Sequence, residues 1–472
     1  MKKNLIFKVS LFLTIIGFTI ISCSNDDNPI IVNIIPAPPV TPPIELKGDL
    51  VTRTLTKGNK YLIKGQTFVR AGVVLTIEPG TVIFGDKGTK GTLVIDRGGK
   101  LIAEGTAAEP IVFTSALAAG ARDRGDWGGI VILGNAPVNQ SSPAIEGISP
   151  AVIFGGSDNA DNSGSLKYVR VEFAGIELTP NNETNCITLG GIGSATKMDY
   201  CQVSFGGDDG FEWFGGSINS KHLVVFATWD DCFDVDFGFT GKVQFGVTVS
   251  YGSYADQSGS NIFETDNGPN DNVTTLLTTG VFSNISGFGP RISNTQTING
   301  NYQFLIDARR RTALTIANSV FVGFRAGLRF NQQSVFDNYA AGTGVMTNNI
   351  MSAPIAAFSA PTPATGVTVT AANIQSWWNV NNVTDVSTDL PAVYLAFGLN
   401  TNIFFGTNTS TGYASNPDFR ITSSGTLASG AAFTNPKLTD AFFTQTAYRG
   451  AFGSSNDWTD GWSEFNPISK AY

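Results

Sequence analysis

Asp208-Asp209-Gly210-Phe211-Glu212-Trp213-Phe214-Gly215-Gly216 returns 22 residues later as Asp230-Asp231-Cys232-Phe233-Asp234-Val235-Asp236-Phe237-Gly238. The preceding segments keep a similar step, with Cys201-Gln202-Val203 aligning on Leu223-Val224-Val225 and then on Phe245-Gly246-Val247. A period of 20 to 30 residues that holds only short strands is the signature of a solenoid, in which each turn buries its apolar face against the next. Working outward, Gly72 to Ile77, the Pro79-Gly80 turn, Thr81 to Gly85, Thr92 to Ile95, Lys100 to Ala103 and Pro110 to Thr114 repeat the strand-and-turn pattern. No amphipathic helix interrupts it, which removes folds that need helical crossovers. Blades of a propeller would need a period of roughly 40 residues, and none is present. The fold class expected is all-β, a right-handed parallel β-helix. An aromatic C-terminal cap is expected from Phe442-Phe443, Tyr448 to Phe452 and Trp458 to Trp462, where rings can cover open strand edges. Residues 376–380 read as a lateral insertion.

Strand alternation sorts the repeat into faces. Phe211, Trp213, Phe233, Val235, Phe237 and Phe263 are assigned inward. Glu212, Asp234 and Glu264 then form one outward column, with Asp236 and Asp266 in the neighbouring one. Stacked carboxylates repel and raise one another's pKa unless solvent or a cation relieves them. Three readings stay open. The column is a solvated acidic face. It binds a hard cation, with Asp234, Asp236, Glu264 and Asp266 as ligands and calcium as the metal that takes such oxygens. Or it hydrolyses a glycosidic bond, with Glu212, Asp234 and Glu264 as the candidate acid/base carboxyls on neighbouring turns. Asp208, Asp209, Asp230 and Asp231 add oxygens for a ligand, and Phe214 and Trp229 are candidate platforms for a sugar ring. Arg309-Arg310-Arg311 can place a guanidinium against an acid. His222, the one histidine, reads as an ordinary residue.

The N-terminus carries Lys2 and Lys3, an apolar run from Leu5 to Ile21, and Ser22-Cys23. That order is a lipoprotein signal, so residues 1–22 read as a signal peptide and Cys23 as the lipidation site. Residues 23–47 form the lipidated cysteine and a Pro-rich spacer containing Pro36, Pro38, Pro39, Pro42 and Pro43, stiff in extended form. Residues 48–430 are assigned to the β-helix with loop insertions, and 431–472 to the cap segment. With 30 basic against 38 acidic residues and a net charge of −8, the chain lacks the basic face of a nucleic-acid binder. Cys186, Cys201 and Cys232, left after Cys23, allow at most one disulfide, and no organic cofactor motif is present.

The stretches Gly125 to Pro137, Tyr168 to Gly175 and the Asp208 to Gly216 repeat, with Tyr448 to Phe452 and Trp458 to Trp462, resemble a family of Bacteroidetes cell-surface β-helix lipoproteins from about residue 48 onward. The Asp26-Asp27 pair after Cys23 resembles that phylum's export signal to the outer leaflet. The resemblance implies an outer-membrane protein anchored by lipid and exposed on the cell surface, with a polysaccharide or a surface protein as partner. The fold also resembles the pectate lyase and polygalacturonase superfamily. Of the polygalacturonase pattern, Asp208-Asp209 and Asp230-Asp231 match the paired aspartates, and no Gly-His-Gly is present. The expected function is binding of carbohydrate or another extracellular ligand, with calcium. The alternatives are a polysaccharide-degrading hydrolase or lyase, and a structural or adhesive surface protein.

Overall fold

Short strands with one apolar face stay folded only if each turn lies on another. The computed structural model shows that coil: parallel strands from Ile44–Asp49 to Val383–Asp385 stack in three sheets, one strand of each per complete turn. It describes residues 42–179, 182–400 and 416–472. The signal peptide, Cys23, Asp26-Asp27 and most of the Pro-rich spacer lie outside the described residues. Residues 43–472 form one unit.

Three successive strands show how a turn is built. The first sheet holds 169–172, 201–204, 223–226, 246–249 and 285–288 in register. The second holds Ile187–Ile192, Phe211–Gly216, Phe233–Asp236, Phe263–Thr265 and Phe304–Ala308. The third holds 197–199, 219–221, 242–244 and 281–283. Phe211 pairs with Phe233 and Phe233 with Phe263, so the 22-residue step is one turn of the coil. These rings lie 6.2 and 5.2 Å apart inside it, with Trp213 and Phe282 packed against Phe233. Burying each such side chain contributes roughly 1.5–3 kcal/mol.

The third sheet passes into the first through one residue in the left-handed region on each turn: Tyr168 (φ 49°), Tyr200 (53°), His222 (51°), Phe245 (63°), Asn284 (58°), Asn318 (55°) and Asn348 (58°). Asparagine tolerates that conformation, whereas bulky residues adopt it at a cost. The rings offset the cost by stacking: Tyr168 on Tyr200 at 4.5 Å, Tyr200 on His222 at 4.2 Å and His222 on Phe245 at 5.3 Å. This bend corrects one sequence alignment. Leu223 pairs with Gly246 rather than Phe245, because Phe245 occupies the bend position of His222. Phe237 likewise differs from its inward assignment: it bends left-handed at 51° and packs outside on Phe214.

Among the described residues three eight-residue helices interrupt the strands, contrary to the expectation of none: Gln333–Ala340, Ala371–Trp378 and Leu390–Phe397. Residues 376–380 belong to the second helix and its C-terminal end, where a capping box at Thr370 and Asn373 starts the helix and Trp378 is buried. The third helix and the C-terminal segment cover the outer face of the first sheet, with Leu390, Tyr394, Phe419, Phe452, Trp462 and Phe465 against Val224, Phe226, Val247 and Phe288. The aromatic C-terminal cap is therefore present and lies along the flank of the coil. Trp458 and Trp462 stand edge-on to the stacked bend rings, and Gln202, Gln244 and Asn284 hydrogen-bond the segment at Glu464, Thr444 and Thr446. No described helix is long and apolar enough to cross a membrane.

Candidate functional site

With the first sheet covered by the C-terminal segment, the second sheet keeps an outer face built for polar chemistry. Its register places Glu212, Asp234, Glu264 and Asp307 on successive turns, with Arg329 next, as the repeat predicted for the first three. Adjacent parallel strands are about 4.8 Å apart. The column is not a solvated face, however. Glu212 and Asp307 are buried and Asp234 and Glu264 half-buried, with Asp236 and Asp266 of the neighbouring column and the adjacent Asp209 and Asp231 buried as well, because loops between the strands rise beside them. The long connection between Ile130–Leu133 and Gly164–Glu172 supplies one wall. Its Ile145, Ile148, Val152 and Phe154 pack on Val94, Val131 and Leu133 of the sheet.

Between that wall and residues 182–185 lies a cavity of about 320 Å³ lined by Glu146, Glu183, Asp208, Asp209 and Glu212 on its acidic side and by Phe154, Phe214 and Phe237 on its apolar side. The size is that of a small-ligand site, about 300–1,000 Å³. Oxygens of Asp209, Glu212 and Asp234 all lie within 4.8 Å of one another, and so do those of Asp208, Asp209 and Asp230. Either cluster can coordinate a metal ion. Few groups offset the charge. Asn185 donates to Glu212, the Asp231 amide donates to Asp209 at 2.9 Å, and one buried oxygen each of Asp234, Asp230 and Asn185 has no partner.

Burial is the first cause, and neighbouring carboxylates the next, of a common upward pKa shift in Asp208, Asp209, Glu212, Asp231 and Asp234. Burial also pushes Asp236, beside Asp266, up to about 7, and Asp230 up to about 7, there opposed by the Ser258 hydroxyl. Carboxyls shifted this far hold protons near neutral pH, which is the state a general acid needs.

Arginines mark the other end of the column. Arg309 binds Asp266 through Nε at 3.1 Å and Nη2 at 2.6 Å, and also pairs with Glu264; Arg310 reaches Asp266 at 2.7 Å. Arg329 pairs with Asp307, at 2.7 Å through Nε. The sequence-assigned metal quartet Asp234, Asp236, Glu264 and Asp266 is thus not assembled as a cation site, since guanidiniums hold two of its members. Asp234 instead joins Asp209 and Glu212.

Other assignments divide similarly. Phe214 lines the cavity, 6.0 Å from Phe154 and 5.0 Å from Phe237. Trp229 is not an open platform, because the Arg124 guanidinium lies 3.1 Å over its ring. His222 accepts no catalytic role from its surroundings: it sits in the bend stack with Nδ1 2.7 Å from Asp199. Cys186, Cys201 and Cys232 are free and buried, so the one disulfide that was allowed is not formed. The repeat could not reveal Glu146, Phe154, Glu183 and Asn185, which come from connections outside it; no periodic signal marks them.

The fold agrees with the comparison with known families. Residues 48–391 match the model of the pectate-lyase like beta helix domain, and the chain belongs to that family. No curated protein and no solved structure matches the chain. A role in binding or acting on carbohydrate follows from the family, the particular ligand does not.

Proposed function

We propose that the protein cleaves a polysaccharide by hydrolysis in the second-sheet groove. The observation that carries the reading is the set Asp209, Glu212 and Asp234, with oxygens within 4.8 Å of one another and two of the three lining the cavity. Hydrolysis needs one carboxyl protonated and a neighbour ionised. A buried cluster that cannot hold three adjacent charges supplies both states. Glu212, facing the cavity, gives its proton to the glycosidic oxygen as the C–O bond breaks. Asp209 or Asp234, too close to Glu212 to leave room for a water between them, bonds to the anomeric carbon as that C–O bond breaks, and a water that gives a proton to the Glu212 carboxylate then displaces it and releases the sugar. A lyase is less well served, because Arg309 is bound to Glu264 and Asp266 and not free to act as a base.

Calcium is the cation these oxygen clusters suit, and Asp208, Asp209 and Asp230 are its proposed ligands. Cys23 is proposed to carry lipid and to hold the protein at the outer membrane, facing outward, where such polymers are met. Reducing-end release from a panel of plant and microbial polysaccharides, with Glu212→Gln and Asp234→Asn as controls, tests the hydrolase. Sugar release that both variants retain in full removes these residues, and a product absorbing as an unsaturated sugar replaces hydrolysis with elimination. Loss of activity in chelator that calcium restores places the metal in the reaction. Transfer of a labelled fatty acid to the wild type but not to Cys23→Ser checks the anchor.

A further inference from the structure

A second cavity, of about 400 Å³, lies against the outer face of the third sheet, and three lysines are in its lining. Strand alternation builds it. Leu166 and Met198 pair in register and belong to the core, so Lys167, Lys197 and Asp199 beside them point out. Lys221 pairs with Asp199 on the next strand, which sets Lys167 and Lys221 two strand spacings apart along the coil, about 10 Å. The C-terminal segment supplies one side: Phe442 lines the cavity, and the Thr444 hydroxyl accepts from Lys221 at 2.9 Å.

The charges here are not matched from within. Among the described residues the Lys197 ammonium has no hydrogen bond or ion pair, and that of Lys167 meets only the Tyr168 ring, at 5.7 Å. Lys221 stands 4.9 Å from the Phe442 ring, and burial pushes its pKa down, opposed by Asp199. The two acids of the lining have other partners, Glu104 the Ser165 hydroxyl at 2.7 Å and Asp199 the His222 Nδ1 at 2.7 Å. By contrast Lys87 and Lys242 each meet a carboxylate directly, on Asp126 and Asp440.

We infer that this third-sheet cavity is a second binding site, for a sugar that carries an anionic group: a carboxylate, a sulfate or a phosphate ester. The ammoniums give such a group charge-assisted hydrogen bonds. Glu104 and Asp199 keep lone pairs for sugar hydroxyls, donors that inorganic phosphate and sulfate lack. The Phe442 ring offers the C–H face of the sugar an apolar surface. A hollow of this volume encloses a discrete ligand, whereas a membrane presents a plane of headgroups. The site stands whether or not the second-sheet groove cleaves its polymer.

Binding to the full protein tests it, in chelator so that no calcium bridges an acid to the second sheet. The probes are a galacturonate oligomer, a sulfated galactan oligomer, a neutral galactan oligomer, inorganic sulfate and phosphate, and phosphatidylglycerol vesicles. Lys167 and Lys197 are exposed, so a double variant, Lys167→Glu with Lys197→Glu, leaves the core intact. The expected result is binding of at least one acidic oligomer, tighter than the neutral one, which the double variant weakens by about tenfold. Where the second-sheet groove takes the same oligomer, the variant lowers the number bound by one. Phe442→Ala should weaken the oligomer as well. Acidic-oligomer binding that the double variant leaves intact, or none at all, overturns the inference. Lysine-dependent binding in which inorganic sulfate or phosphate matches the oligomer and Phe442→Ala changes nothing reduces the cavity to a bare anion site and overturns the sugar. Lysine-dependent capture of vesicles without any oligomer binding makes the face a membrane contact and overturns it too.

Discussion

One outward column of acids serves two ends of the second sheet differently. At Glu212 and Asp234 the carboxylates face one another across adjacent turns, with an unpartnered buried oxygen on Asp234. At Glu264 and Asp307 the same column, with Asp266 beside it, is met by Arg309, Arg310 and Arg329. A buried charge left without a partner costs several kcal/mol, and a paired one can be close to neutral. The arginine-rich end is thus held as part of the structure, whereas the upstream end keeps its acids unbalanced beside a cavity. Unbalanced titratable groups in a cleft are where function is sought. The repeat alone does not separate the two ends; the partners brought by the following turns do.

Turnover should break the symmetry most strongly. Glu212→Gln and Asp234→Asn are each expected to lower the rate of sugar release by about 10²–10⁴-fold, the usual contribution of a general acid or base. Asp307→Asn, on the paired end, should change it by less than about tenfold once the folded fraction is accounted for. An equal loss at both ends would mean that the column works as one electrostatic unit, and the division fails.

Stability should divide in the opposite sense. Arg309→Met leaves Glu264 and Asp266 short of their main cation, since Arg310 touches only Asp266. The expected loss is about 3–5 kcal/mol in denaturant unfolding. Asp234→Asn replaces a carboxyl that has no cation at hydrogen-bond distance and should leave stability unchanged or raise it by about 1 kcal/mol. A destabilised Asp234→Asn alongside an unaffected Arg309→Met would reverse the assignment of the two ends.

What the sequence could show follows the same boundary. The 22-residue step made the coil and the column legible, because Phe211, Phe233 and Phe263 alternate with Glu212, Asp234 and Glu264 in strands whose period is two. Burial of the column was not legible, since it depends on the 134–163 connection and on residues 182–185, which have no counterpart in other turns. Nor could adjacency of Arg309 to Asp266, 43 residues apart, be read without knowing how much of the intervening chain is loop. The bend stack left a faint trace: Tyr200, His222 and Phe245 recur at about one turn, but a left-handed aromatic is rare enough that strand alternation overrode it and put Phe245 in the strand. The helices at 333–340 and 371–378 were hidden by their length, too short for a periodic apolar pattern to stand out.

The smallest difference expected between the two ends lies in how stability follows pH. Asp230 belongs to the unbalanced end, and burial puts its folded pKa at about 7, above the ordinary aspartate value of about 4. Between those values the folded state binds more protons than the unfolded chain, so stability falls as pH rises, and the loss is complete above the folded pKa. Each such group contributes a slope of up to about 1.4 kcal/mol per pH unit in that window. Melting measured from pH 5 to pH 8 should therefore show a falling transition temperature, and Asp230→Asn should flatten part of the fall. Calcium bound by Asp208, Asp209 and Asp230 would replace protons at the upper end of the window and raise the transition at pH 8 more than at pH 5. A transition temperature that climbs steadily from pH 5 to pH 8 in the wild type, or one whose fall is untouched by Asp230→Asn, would show that the upstream acids are relieved by something other than protons, and the contrast between the two ends would then be one of hydration and not of charge.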